Sequence, residues 1–192
     1  MNWLECMIII LGVSLDIFAA MECQGALVAK INKQQLSGIC VIITMWQLAA
    51  LFMGNGIAWL IRREQILEDE RVLGQILAIG IFAGLGIRLL MKALRDERIV
   101  ERRENKQDLR RFIHMALGAS IYTILAGVAI GFLEGNLWML LIMVVLFSVL
   151  FIIGGMYTGY HLGFEQKTKA YVLGTIFFWM AGLDVLIRFF VN

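Results

Sequence analysis

Six apolar runs, each about 20 residues or longer, divide this chain, and a run of that length is what an α-helix needs to cross the hydrocarbon core of a bilayer. They fall at Trp3–Val28, Ser37–Ile61, Val72–Leu94, Ile113–Leu133, Leu137–Leu162 and Ala170–Val191. Inside lipid every backbone N–H and C=O needs a partner from the chain itself. Only helices or closed barrels can therefore span, and these runs are too long for barrel strands. The expected fold is all-α: a membrane protein of six transmembrane helices in a single integral membrane domain, residues 1–192. Composition agrees, with 60% hydrophobic and 17% charged residues where soluble domains carry about 45–50% and about 25%. Mean hydropathy is +0.81. Proline is absent, so any helix break falls to the 19 glycines. The first run lacks a basic leader and a small-residue cleavage site and is expected to be retained. Cys6, Cys23 and Cys40 have no metal-type spacing and read as small reduced apolar residues.

The links orient the bundle. The first, third and fifth carry Lys30 and Lys33, then Arg95, Arg98, Arg102, Arg103, Lys106, Arg110 and Arg111, then Lys167 and Lys169. The second has Arg62, Arg63 and Arg71 offset by Glu64, Glu68, Asp69 and Glu70, and the fourth is the turn Glu134-Gly135-Asn136. Basic residues collect on the cytoplasmic side. This places the 95–111 link in the cytoplasm and both termini outside, in a plasma or inner cell membrane. Clustered bases with a net charge of only +2 suit membrane topology rather than nucleic-acid binding.

The two halves echo each other. Leu11-Gly12-Val13-Ser14-Leu15-Asp16 returns as Leu117-Gly118-Ala119-Ser120-Ile121-Tyr122, and Ala20, Gly25 and Leu27 return at the same offset as Ala126, Gly131 and Leu133. In the third and sixth runs Phe82, Gly86, Arg88 and Lys92 line up with Phe178, Gly182, Asp184 and Arg188. The second and fifth share only Gly54/Gly56 against Gly154/Gly155/Gly159. Three spans per half is an odd number, so the halves have opposite topology: two inverted three-helix repeats, residues 3–94 and 113–191. Many secondary transporters are built this way, with sites where the repeats meet.

A carboxylate within a span is costly and points to function by default. Asp16 is the leading candidate for ion or proton binding, with a structural ion pair as the plain alternative. Glu5 and Cys23 lie within about 20° of it on a helix, a polar stripe along one face. Tyr122 occupies the equivalent place in the second repeat. Ser14, Ser120, Tyr122 and Gln47 are candidate neutral ligands, with bonds from the serines to helix carbonyls and from Gln47 within the bundle as the plain alternative. Arg88 and Asp184 carry opposite charges at equivalent positions. They are expected to pair near the pseudo-two-fold axis as a gate or structural clasp, since a lone charge in lipid costs about 2.5–3.5 kcal/mol. Asp16 is the competing partner for Arg88. Lys92 and Arg188, one turn on, are expected to snorkel to opposite interfaces. His114 and His161 stand at span borders, and the methionines follow no pattern. No phosphate loop, zinc-binding pattern or nucleophile elbow is present, so an enzyme is not expected.

With these residues in view, the chain resembles the MntP-type manganese exporters of the lysine-exporter superfamily. Leu11-Gly12-Val13-Ser14-Leu15-Asp16-Ile17-Phe18-Ala19-Ala20 resembles the family's first-span motif around its metal-site Asp. Gly86-Ile87-Arg88 resembles its Gly-x-basic in span three, and Gly155-Met156-Tyr157-Thr158-Gly159 its Gly-rich stretch of span five. The resemblance implies six spans, inverted triplets and an acidic central site. The departures fall on that site: Tyr122 stands where the family has its second-repeat Asp, Gln47 and Lys92 where it has further acids, and Ile152 and Ile153 where it has a polar pair. Asp184 is an additional acid.

The expected function is export of a small cation by movement of one triplet against the other around Asp16. Manganese(II) is the ion the resemblance implies, Asp16 is its expected metal ligand, and proton coupling is an option. Two other readings compete. Arg88 and Lys92 favour an amino acid or other small solute, and the lost acids favour a transport-inactive scaffold or regulatory subunit. A polar cavity reaching Asp16 would favour transport. No cofactor is expected apart from the transported ion. The expected partners are the bilayer and a small cation or solute, with a homodimer left open and no nucleic acid.

Overall fold

The structure, a computed structural model, describes residues 3–28, 31, 33–63, 70–94, 109–133, 137–163 and 166–191. Among them are six α-helices: α1 (Trp3–Leu27), α2 (Lys33–Arg63), α3 (Glu70–Leu94), α4 (Leu109–Phe132), α5 (Leu137–Leu162) and α6 (Lys167–Val191). The helices follow the apolar runs closely but overrun them at polar ends. Lys33-Gln34-Gln35 extends α2 and Lys167-Thr168-Lys169 extends α6, because lipid selects the apolar length while long straight side chains keep the helix going into water. At the end of α5, Gly163 takes φ 71°, a left-handed conformation that only glycine adopts cheaply. Its N–H donates to the Gly159 carbonyl at 3.0 Å.

Five of the helices are long and apolar enough to cross a membrane, and in α4 the apolar stretch among the described residues is Ser120–Phe132. The surface and interior are arranged for lipid. Val41, Met45, Phe52, Trp59, Trp138, Leu150 and Phe190 face outward, while Ser14, Asp16, Glu22, Gln47, Ser120, Thr123 and Ser148 are buried. This is a multi-pass membrane protein. The turn at Glu134–Asn136, most of the 95–111 link and the acidic part of the second link lie outside the described residues, so the expected orientation is not visible in them.

Neighbouring helices follow the closed order α1, α5, α2, α4, α3, α6 and back to α1, with α1 also touching α4 across the middle. All these interfaces join a helix of the first half to one of the second. Neither triplet therefore packs around a core of its own.

Glycines make the two closest seams, where small residues let backbones approach and dispersion supplies the attraction. Along α1 and α5, which run parallel, a β-carbon on Gly25, Gly155 or Gly159 would run into the carbonyl oxygen of Met156, Phe18 or Glu22. Along the parallel pair α2 and α4, one on Gly54 would strike the Ile124 carbonyl, and one on Gly131 would stand 2.6 Å from the Ala58 β-carbon. The helices are continuous through these positions, so these glycines serve packing and do not break their helices. The third seam, α3 with α6, runs antiparallel. The Phe82 and Phe178 rings stack there with centroids 6.4 Å apart, and the Thr175 hydroxyl donates to the Gly86 carbonyl at 3.3 Å.

Candidate ion site

Asp16 sits midway along α1, its side chain 2% exposed. Its partner is Lys92, from the last turn of α3, whose ammonium stands 2.7 Å from Asp16 Oδ1. Helices α1 and α3 are not principal neighbours. The four-carbon stem of Lys92 therefore spans the gap between them and delivers the charge inward. This corrects the expectation that Lys92 snorkels to an interface: a buried carboxylate in reach is a better partner than the headgroup region. The same ammonium lies over two phenol rings, 4.7 Å from the centroid of Tyr122 and 5.5 Å from that of Tyr171. Arg88, one turn earlier on α3, lays its guanidinium over the Tyr122 ring at 4.8 Å. Ring faces attract cations through their quadrupole, more strongly where water is excluded. Tyr122 itself is fully buried, and its hydroxyl makes no well-formed hydrogen bond.

The structure thus links Asp16 and Tyr122 through Lys92 of α3. The other expected ligands go elsewhere. Ser14 and Asp16 are two residues apart, about 200° around the helix, so they face nearly opposite ways. Ser120 stands in the same relation to Tyr122 and accepts the Trp46 indole N–H from α2. Gln47 is held from α5, its Oε1 accepting from the Ser148 hydroxyl. Ser120 and Gln47 tie α2 to its neighbours, and Ser14 is buried on the far side of α1 from Asp16.

The expected pair of Arg88 with Asp184 is replaced by two others. Asp184 Oδ2 lies 3.3 Å from Arg188 Nε on its own helix, and Arg188 also bonds Glu5 at the start of α1. The reason is geometric. In the antiparallel pair α3–α6, equivalent residues meet only where the two-fold would pass, at Phe82 and Phe178. Arg88 lies near the level of Thr175, and the nine residues from there to Asp184 are about 13 Å of helix. The bases that do correspond, Lys92 and Arg188, each hold a carboxylate of α1, about 16 Å apart along its axis. Cys23 at the inner end of the expected stripe is half-buried and, like Cys6 and Cys40, is in no disulfide. His161 is exposed against Tyr160. The side chain of His114 lies outside the described residues.

Glu22 escaped the sequence reading, though the rule that singles out Asp16 applies to it equally: an acid inside the first span, six residues on. It is fully buried. Its Oε1 accepts the backbone N–H of Gln166 at 2.8 Å, at the start of α6, and its Oε2 has no partner. A carboxylate is favoured there because unpaired N–H groups at a helix start attract negative charge. Among the described residues no group of three or more His, Cys, Asp or Glu side chains is arranged to hold a metal ion. The centre offers a cation one carboxylate, two ring faces and a neutral hydroxyl.

No curated protein and no solved structure matches the chain. The family model described as "Putative manganese efflux pump" matches residues 30–186, from the link after α1 into the last turns of α6. Asp16 precedes the matched residues, while Gln47, Arg88, Lys92, Tyr122 and Asp184 lie within them. With the greater part of its length matched, and with its apolar helices and buried polar centre, this chain belongs to the MntP family of manganese efflux pumps.

Proposed function

We propose that the protein exports a small cation of the manganese(II) type by alternating access, with Asp16 as the carboxylate that binds it. One observation carries the reading: Asp16 is buried at mid-span and already holds a cation, the Lys92 ammonium at 2.7 Å. A hard divalent ion prefers several oxygen ligands with matching negative charge. Asp16 supplies the charge and Tyr122 a neutral oxygen, so affinity is low. Weak binding suits an exporter that must release its cargo.

The moving parts follow from the packing. Exchanging α1 with α4, α2 with α5 and α3 with α6 maps the order of neighbouring helices onto itself. It also exchanges the two glycine seams and leaves Phe82 facing Phe178. These features support an inverted repeat with its axis at the α3–α6 pair. The pairs α1–α5 and α2–α4 are then the two equivalent units, and they rock about α3–α6. The basic 95–111 link faces the cytoplasm and both termini face outward, as the distribution of bases requires.

The test is manganese(II) flux in proteoliposomes containing the purified protein. Wild type moves the ion and Asp16→Asn does not; undiminished flux in Asp16→Asn overturns the site. A second reading rests on Arg88 and Lys92, which set two cations against one carboxylate around Tyr122. It assigns a small solute bearing an anionic group, and amino-acid flux in the same liposomes, with no manganese(II) flux, would establish it.

A further inference from the structure

We infer that Lys92 is a tethered counter-cation: it fills the Asp16 site whenever the transported ion is absent and must be displaced for the ion to bind. The inference rests on the reading of Asp16 as the ion-binding carboxylate and adds what occupies that site between loadings.

The surroundings of the ammonium are those a free cation would choose. It has one buried carboxylate oxygen at 2.7 Å and two phenol faces at 4.7 and 5.5 Å. The stem that carries it is anchored elsewhere. Lys92 comes from the end of α3, at the level of Tyr171 on α6, and its side chain is 39% exposed while that of Asp16 is 2% exposed. A group so placed can swing outward without unpacking the centre, because Leu89 and Leu85 hold α3 against the core. An ion arriving at Asp16 meets a competitor of fixed local concentration. Its apparent affinity is lowered by the share of protein in which the carboxylate is already taken.

The same device settles what happens after release. A bare carboxylate at mid-span is costly to carry through a conformational change in lipid. With Lys92 returned to Asp16, the empty centre is neutral as a pair, and the unloaded protein resets without a second ion. Lys92 therefore makes net export possible where Asp16 alone would favour exchange of one cation for another. Arg188 holds Glu5 in the corresponding way at the other end of α1, but Glu5 lies at the mouth and needs no such neutralisation in transit.

The experiment uses full-length protein in liposomes with manganese(II) as the probe, comparing wild type, Lys92→Met, Lys92→Arg and Asp16→Asn. Lys92→Met is expected to bind manganese(II) more tightly by about 5–150-fold, the usual span of coupling between two occupants. It should retain exchange of labelled for unlabelled ion while losing net flux into ion-free buffer. Lys92→Arg restores both properties toward wild type, which a general packing defect would not do. A readout without transport keeps the pair testable: acylation of the Lys92 amine, followed by mass spectrometry, should be slow in wild type and faster in Asp16→Asn or with added manganese(II). Equal acylation in wild type and Asp16→Asn overturns the tether. Unchanged affinity together with unchanged net flux in Lys92→Met overturns it too. If no form of the protein binds or moves manganese(II) but acylation still responds to Asp16→Asn, the pair stands and the assignment of the cation fails instead.

Discussion

Around Tyr122 of α4, Asp16 of α1 and the pair Arg88 and Lys92 of α3 come within reach of one phenol. The ring accepts two cations on its faces but, as a phenol, brings no formal charge to offset them. Replacing it by a carboxylate would balance the excess of bases. Tyr122→Asp is expected to tighten manganese(II) binding by about tenfold, within the range of site-to-site coupling, as read by calorimetry on protein in detergent. Looser binding in Tyr122→Asp would mean that the ring shapes the site rather than obstructing it. The ion pairs make a separate prediction. Arg88→Ala and Asp184→Asn should act independently on stability, additive within about 0.5 kcal/mol, whereas Glu5→Gln and Arg188→Gln should couple by about 0.5–3 kcal/mol. Denaturant unfolding of the single and double variants decides both. The candidate residues were legible one by one, because an acid in a span is conspicuous. Their partners were not. Equivalent positions in a repeat invite pairing, yet an antiparallel α3–α6 contact carries Arg88 and Asp184 apart on either side of the Phe82–Phe178 stack.

The six helices among the described residues are held in large part by shape. The α1–α5 and α2–α4 seams show how: at Gly25, Gly155 and Gly159, and at Gly54, Gly127 and Gly131, the partner backbone or β-carbon occupies the space of a side chain. Gly159→Ala is therefore expected to destabilise the protein by about 1–3 kcal/mol through overpacking. Gly38→Ala, where a β-carbon meets nothing within 4 Å, should be neutral or stabilising, since alanine is the better helix former. Thermal unfolding in detergent compares them, and equal effects would mean that the seams are looser than described. Helix positions were legible because about 20 apolar residues leave lipid few alternatives. The use of the glycines was not, for a glycine that breaks a helix and one that lets a neighbour approach look alike in a sequence. The hydrogen bonds from Ser148 to Gln47 and from Trp46 to Ser120 also belong to this scale: they fasten α2 to α5 and α4.

The molecule as a whole is a ring of helices in which each half is completed by the other. An arrangement of that kind gives neither triplet a packed interior of its own, and the rocking proposed above uses pairs drawn from both halves. Two measurements address it. In protein whose Cys6, Cys23 and Cys40 are replaced by alanine, Phe82→Cys with Phe178→Cys should cross-link through a short bifunctional thiol reagent, since the parent rings stack at 6.4 Å. Single cysteines in place of Asn105 and of Gly135 should react with impermeant reagents from opposite sides of the membrane. Labelling of both from the same side would overturn the topology.

The sequence by itself determined that this chain lives in a membrane, where its described helices lie to within about a turn at their polar ends, which half echoes which, and that Asp16 is an acid inside a span. Each of these follows from local chemistry: apolar length, the distribution of bases, the cost of a charge in lipid. Tertiary structure alone decided which helices touch, which base reaches which acid, and that the cation at Asp16 is the chain's own. Those outcomes depend on distances between residues 76 positions apart, as with Asp16 and Lys92. No local propensity encodes them; they exist only once six helices have packed around one another.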